Sequence, residues 1–281
     1  MRPQSLGVIG LGAIGGSVAW TAAQKGIPRI LGYSPIPAEG VAAMRAGALT
    51  EVVSTPRRIA QQCDLLVLAA PPAATMKLMS DLAGVVTGRE CWITDVSSVK
   101  APIARLAAEK GLAAQYAGSH PLAGTHESGF TAARTDLFRQ AVVYVTPLPG
   151  GEVVAREVAD FWSQVCAANP VIIDAEHHDA ALAWTSHLPQ AVASALAVAC
   201  SRFGPGGMTY GPGARDTTRL AAGSVEMWRD ILLMNRTAVL AALDQFDETV
   251  GDLRRSLQEG DADAVAAWFS EGAGWRADLG S

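Results

Sequence analysis

The chain has five histidines in 281 residues. Two of them fall in one short stretch, GSHPLAGTHESG (118–129), where His120 precedes a proline and His126 follows among three glycines. Imidazole has an unperturbed pKa of about 6.5 and so can accept and return a proton near neutral pH, which makes His120 a candidate site residue. TDVSSVK (94–100) offers hydroxyls at Ser97 and Ser98 and an amine at Lys100. Further along, WTSHLP (184–189) carries His187, and RDTTR (215–219) carries Arg215, Asp216 and Arg219. His177 and His178 stand beside Asp179, but neighbouring histidines on a helix point apart. That pair reads as a solvated helix start, and no metal site is expected.

Groups so distant in sequence need a scaffold that gathers them at one edge. From Ser5 to about Ala175 short β-rich runs (LGVIG, RILGY, LLVLAA, CWITDV, AQYAGS, AVVYVTP, PVIIDA) alternate with helical stretches, the pattern of a parallel sheet covered by helices on both faces. The first run leads into GVIGLGAIGGSVAW, which places Gly10, Gly12 and Gly15 in G-x-G-x-x-G between strand and helix. In that motif the first glycine permits a tight turn, the second lets backbone approach a pyrophosphate, and the third allows close helix–strand packing. The expected dinucleotide contacts are Gly10, Gly12, Ala13, Ile14 and Gly15, with Ser34 after RILGY and Pro71 after LLVLAA. Ser34 occupies the slot where an acidic residue normally holds the ribose 2′-hydroxyl, and no arginine follows it to hold a 2′-phosphate, so NAD and NADP both stay open. Gly26 and Gly47 fit helix C-terminal caps. TDVSSVK and His120 each follow a strand at the carboxyl edge, where ligands of open α/β sheets bind.

Beyond Glu176 the strand signal ends. The apolar tract 180–200 reads as a helix buried on most sides. Another helix covers about Val225 to Leu257, with Leu243, Phe246, Val250, Leu253 and Leu257 forming a seam, and Asp261 is placed to cap a last short helix through Phe269. GPGGMTYGPGARD (204–216) is too glycine-rich for helix and reads as a loop. The expected fold is an α/β Rossmann-type doubly wound parallel sheet over 1–175 followed by an all-α dimerisation domain over 176–281. The dimer is expected because one small helical domain could hardly bury the 180–200 helix and the seam alone.

A net charge of −5 and a pI near 5.5 leave no basic stripe for nucleic acid, so a small-molecule substrate is the expected partner. Cys63, Cys91, Cys166 and Cys200 lie far apart with no CxxC spacing and read as reduced core thiols. No export signal or clean membrane span is visible, and a cytoplasmic enzyme is expected.

With GLGAIGGS, TDVSSVK, GSHPLAGTHESG, SHLP and RDTTR in that order, the sequence resembles the prephenate and arogenate dehydrogenases of tyrosine biosynthesis over nearly its whole length. The resemblance implies that Ser98 and His120 are catalytic and that His187 and Arg219 belong to the active site. It implies oxidative decarboxylation of a cyclohexadienol, with hydride passing to NAD or NADP. His120 would be the base for the 4-hydroxyl, with Ser98 orienting its ring or touching the nicotinamide. Arg219, held by Asp216 one helical turn away, would capture a carboxylate. His187 would contact the substrate or its second carboxylate. The proline and glycines would project His120 from a tight loop, and THESG, with Thr125 and His126, would form a substrate-facing lip. Prephenate is the expected substrate, with arogenate and an amino-deoxy analogue as the near alternatives. A different Rossmann-plus-helical dehydrogenase would be expected to carry a lysine where His187 stands, and a nucleotide sensor would need no base. No room is expected for an ACT or chorismate mutase domain, so feedback by tyrosine would act at the active site.

Overall fold

The computed structural model describes residues 2–124, 127–204, 206 and 209–279. Five parallel strands form the first sheet: β1 (Ser5–Ile9), β2 (Arg29–Tyr33), β3 (Glu51–Val52), β4 (Leu65–Leu68) and β5 (Trp92–Asp95), in the order β3-β2-β1-β4-β5. β1 and β4 are buried along their whole length, which is why they read as continuous apolar runs with no polar alternation. The helices between them are α1 (Ala13–Gln24), α2 (Pro37–Arg45), α3 (Pro56–Ala60) and α4 (Pro72–Val86), and α5 (Ala101–Glu109) follows β5. Gly26 and Gly47 follow α1 and α2 with φ of 72° and 71°, the left-handed conformation that favours glycine after a helix.

A parallel bridge from Ile93 to Tyr116 joins this sheet to a second one of β6 (Ala117–Pro121), β7 (Val142–Pro147) and β8 (Asn169–Ile172). Here the structure corrects the expectation of an all-parallel sheet: β6 and β7 are antiparallel. A parallel return needs a crossover element packed on the sheet, and the described residues of 122–141 supply only the 3₁₀ turn Phe130–Ala132. Helix α6 (Glu152–Gln164) buries Val154, Ala155, Val158, Phe161 and Trp162, a helical stripe that closes one face of the core together with α1. The opposite face is filled from α3, α4 and α5 by Ile59, Leu82 and Ile103.

The remaining chain is helical: α7 (Ala175–Leu182), a π-helical turn (Ala183–His187), α8 (Leu188–Phe203), α9 (Pro212–Thr218), a 3₁₀ turn (Arg219–Ala222), α10 (Val225–Met234), α11 (Arg236–Glu259) and α12 (Ala262–Asp278). Several expectations are corrected here. The helix expected from Val225 to Leu257 is broken at Asn235, whose φ of −103° and ψ of 24° interrupt the rod. α9 begins inside the glycine-rich 204–216 stretch, at Pro212, a residue pre-organised for a first turn, and runs past it to Thr218. Asp261 does cap α12, accepting Ala264 N–H at 2.9 Å, but the helix runs on to Asp278. The 180–200 helix is not buried on most sides in the single chain. Within α8 only Leu188, Gln190 and Ala193 are buried, and the local core is small, built on Ala183, Leu188, Val239 and Ala242.

Candidate active site

The glycine turn meets the steric demands of a dinucleotide cradle. A Cβ on Gly10, whose φ is +98°, would lie 2.0 Å from Ala69 O, and one on Gly15 would lie 2.0 Å from Gly10 O, whereas one on Gly12 would meet nothing within 4 Å. Gly10 and Gly15 are therefore required by the fold, and Gly12 leaves open space where a pyrophosphate would approach. Gly12 starts α1 with no side-chain cap and no acidic residue in the first turn, so the first N–H groups face that space, with Ala13 and Ile14 half-buried beside it. Gly10 N–H donates to Tyr33 O at 2.8 Å, tying the turn to the end of β2 and bringing Ser34 alongside. Pro71 is exposed at the carboxyl end of β4, where it opens α4. These residues fit a nicotinamide dinucleotide.

His120 lies within β6, opposite Tyr144, and is 8% exposed. This corrects the expectation of a base projected from a loop: extending the Ile93–Tyr116 register brings His120 level with Ser97, two residues beyond the end of β5. Its Nδ1 contacts His178 Nε2 at 2.8 Å, and His178 Nδ1 contacts Asp179 Oδ1 at 2.8 Å. A carboxylate only accepts, so the proton of a neutral His178 sits on Nδ1 and its Nε2 is an acceptor. His120 must then donate from Nδ1, leaving its lone pair on Nε2. The Asp179 carboxylate also accepts the backbone N–H of Lys100 at 2.8 Å and of Ala101 at 2.9 Å. It thus caps α5 from a different part of the chain and is held rigid by doing so. Burial, then the charges of His178, Lys100 and His187, hold His120 well below the usual imidazole value. Burial also lowers His178, opposed by its hydrogen bond to Asp179.

This set corrects the reading of the 177–178 pair. His177 is exposed and bonds Asp174, which caps α7 through His177 N–H at 2.8 Å. His178 is fully buried and central to the site. The signal was present in sequence: Ala175, His178, Asp179 and Leu182 are the buried residues of α7, and their spacing marks one inward face.

TDVSSVK folds around Asp95. Lys100, fully buried, places Nζ 2.5 Å from Asp95 Oδ1 and 2.7 Å from Ser119 O, while Asp95 also accepts Tyr116 O–H at 2.6 Å and Ser97 N–H at 2.8 Å. Removing one partner of such a buried pair costs about 3–5 kcal/mol, and the Ser119 contact fixes the backbone one residue before His120. Ser119 Oγ is further held by Thr94 Oγ1 at 2.7 Å and by Trp162 Nε1–H at 2.9 Å. Ser98 is half-buried in the loop that these bonds shape. It does not cap α5, which has no side-chain cap of its own, because Asp179 takes that role.

His187 is fully buried at the end of the π-helical turn. Such turns recur at functional sites, and Pro189, in the first turn of α8, lacks the N–H that would continue a regular ladder. Asn235 Nδ2 donates to Asp179 O at 2.7 Å and to His187 Nδ1 at 3.1 Å. The His187 proton therefore sits on Nε2, and that buried N–H has no partner among the described residues. Burial pushes His187 down to about 4, so at neutral pH it is an uncharged donor. The side-chain chain His120–His178–Asp179 ends on the Asp179 carboxylate, and the Asp179 backbone carbonyl holds the Asn235 amide that bonds His187. Sequence reasoning missed His178, Asp179 and Asn235, and nothing in the helical pattern marked Asn235.

The other expected site residues are less tightly gathered. Arg219 is exposed at the start of its 3₁₀ turn, and among the described residues no ion pair joins it to the exposed Asp216. Thr125 and His126 lie outside the described residues. Among the described residues no cluster of three or more His, Cys, Asp or Glu is placed to hold a metal, and no helix is long and apolar enough to cross a membrane.

The family described as prephenate dehydrogenase, nucleotide-binding domain, matches residues 21–170, and the prephenate dehydrogenase dimerization domain matches residues 174–271. The chain belongs to the prephenate dehydrogenase family. Prephenate dehydrogenase of Bacillus subtilis is 31% identical over 284 residues, covering 96% of this chain and 74% of its own. Cyclohexadienyl dehydrogenase of Zymomonas mobilis is 31% identical over 275 residues, covering 95% and 92%. A crystal structure of prephenate dehydrogenase from A. aeolicus in complex with hydroxyphenyl propionate and NAD+ is similar with a TM-score of 0.91 and 24% identity, covering 98% of each chain; at that identity the likeness is one of fold. As a member of the prephenate dehydrogenase family the chain is an oxidoreductase with a nucleotide-binding domain.

Proposed function

We propose that this chain oxidises prephenate and releases its ring carboxylate as carbon dioxide, giving 4-hydroxyphenylpyruvate on the route to tyrosine. The observation that carries the reading is the buried His120–His178–Asp179 chain, which leaves an unprotonated Nε2 on His120. A nicotinamide dinucleotide bound over the Gly10–Gly15 turn would supply the hydride acceptor. His120 Nε2 takes the proton of the ring hydroxyl as the carbinol carbon gives up its hydride. Departure of the carboxylate as carbon dioxide leaves its electron pair in the aromatic ring, and His120 returns the proton to the phenolic oxygen. His178 and Asp179 keep the imidazole in the tautomer that can do this and share the transient positive charge. His187 would offer Nε2–H to an acceptor on the substrate, Ser98 would stand at the reacting edge, and Arg219, exposed and without an ion pair among the described residues, would take a substrate carboxylate. The helical half, which matches the dimerization domain, is the surface through which two copies pair.

The test is formation of reduced nicotinamide by purified protein with prephenate or arogenate and NAD or NADP, in all four pairings. Turnover of prephenate is expected. A preference for arogenate would change the side-chain assignment, and no turnover in any pairing while dinucleotide still binds would overturn the reaction.

A further inference from the structure

The chain lacks an acidic residue at the end of β2, yet a carboxylate reaches that position from the next helix. Ser34 Oγ accepts the Ile36 N–H at 3.1 Å and donates its only proton to Glu39 Oε2 at 2.5 Å. Glu39 lies in the first turn of α2 and is half-buried, where the positive end of the helix favours a carboxylate. The Gly10–Tyr33 hydrogen bond sets this latch next to the dinucleotide turn. Among the described residues Ser34 is the only hydrogen-bond partner of the Glu39 carboxylate, so Oε1 retains its accepting capacity. Gly129 closes the far side: a Cβ there would lie 3.5 Å from Glu39 Oε1.

We propose that Glu39, held by Ser34, selects NAD over NADP by accepting the hydroxyls of the adenosine ribose and repelling a 2′-phosphate. The proposal rests on the nicotinamide-dependent reading above and adds which dinucleotide is taken. From Ser34 to Met44 the chain contains no lysine or arginine, so a phosphate on the ribose would meet a carboxylate with no cation from this segment to offset it. The cations at the start of the next helix are Arg57 and Arg58. Arg58 points away, towards Glu51 at 4.0 Å, and Arg57 is the alternative phosphate partner put to the test.

The experiment is isothermal titration of the full chain with NADH and NADPH, independent of turnover, on the wild type and on Glu39→Gln, Ser34→Ala and Arg57→Ala. The wild type is expected to bind NADH more tightly than NADPH. Glu39→Gln is expected to weaken NADH about 10-fold, the scale of one lost charge-assisted hydrogen bond, while NADPH holds or tightens. Ser34→Ala is expected to cause a smaller loss in the same direction, and Arg57→Ala no change in either. Equal or tighter NADPH binding by the wild type, a Glu39→Gln change that affects both dinucleotides alike, or loss of NADPH binding in Arg57→Ala would each overturn the proposal. If neither dinucleotide binds the wild type, the nicotinamide reading itself fails and takes this one with it.

Discussion

His178 is where the proton chemistry is decided, although it touches no substrate atom in the proposed reaction. His120→Ala is expected to lower kcat by about 100-fold or more, the scale of lost general-base catalysis, with dinucleotide affinity held. His178→Ala removes a positioning residue, and its signature is a pH profile. Wild-type His120 titrates well below 6.5 because of burial and neighbouring positive charge, so activity should persist into mildly acid conditions. Without His178 that environment opens, the His120 pKa rises, and the acid limb of kcat/KM should move up towards neutrality as kcat falls. His178→Gln, whose amide oxygen can accept His120 Nδ1–H, should restore part of the rate. An unchanged profile and rate in His178→Ala would remove it from the site. His120 and Ser98 stood out as candidates in sequence because their motifs are short and local. His178 was not, because two adjacent histidines do not reveal which faces inward until Ala175 and Leu182 are counted with them.

At the level of elements, the break between α10 and α11 and the π-helical turn before α8 bring Asn235 and His187 together. Periodicity marked neither break: the π-helical turn stands directly before the Pro189 turn of α8, and Asn235 is held by Asp179 O. The consequence is a pH-dependent stability. His187 has its pKa lowered from 6.5 to about 4, so between those values the unfolded state binds more protons than the folded one, and stability falls as pH falls. The contribution is fully present above about 6.5 and is lost as pH falls towards 4. Denaturant unfolding from pH 7 down to 4.5 should show a declining free energy, and His187→Gln should show a shallower decline. Parallel slopes for the two proteins would mean that His187 is not buried in its neutral form.

The whole molecule has a well-filled α/β half and a helical half with little interior of its own. Phe203 is 85% exposed, Val225 77%, Trp275 65% and Leu233 64%. A large apolar side chain moved from water into an interface contributes about 1.5–3 kcal/mol, so pairing of two copies has ample driving force. Sedimentation equilibrium at micromolar concentration should give a dimer, with a melting temperature that rises with protein concentration; a stable monomer with a concentration-independent transition would exclude it. The α/β half was legible down to its glycine turns, whereas the sense of β7 was not, because strand direction depends on what the 122–141 connection packs against. The Asp179 carboxylate that ends the histidine chain also caps α5, so α7 is fastened into the nucleotide-binding half. In any chimera joining the nucleotide half of one relative to the helical half of another, a crossover placed after 182 keeps Asp179 with the α5 it caps and His178 with the His120 it bonds. A crossover near 174 exchanges the proton relay for a stranger's and leaves its fit to chance.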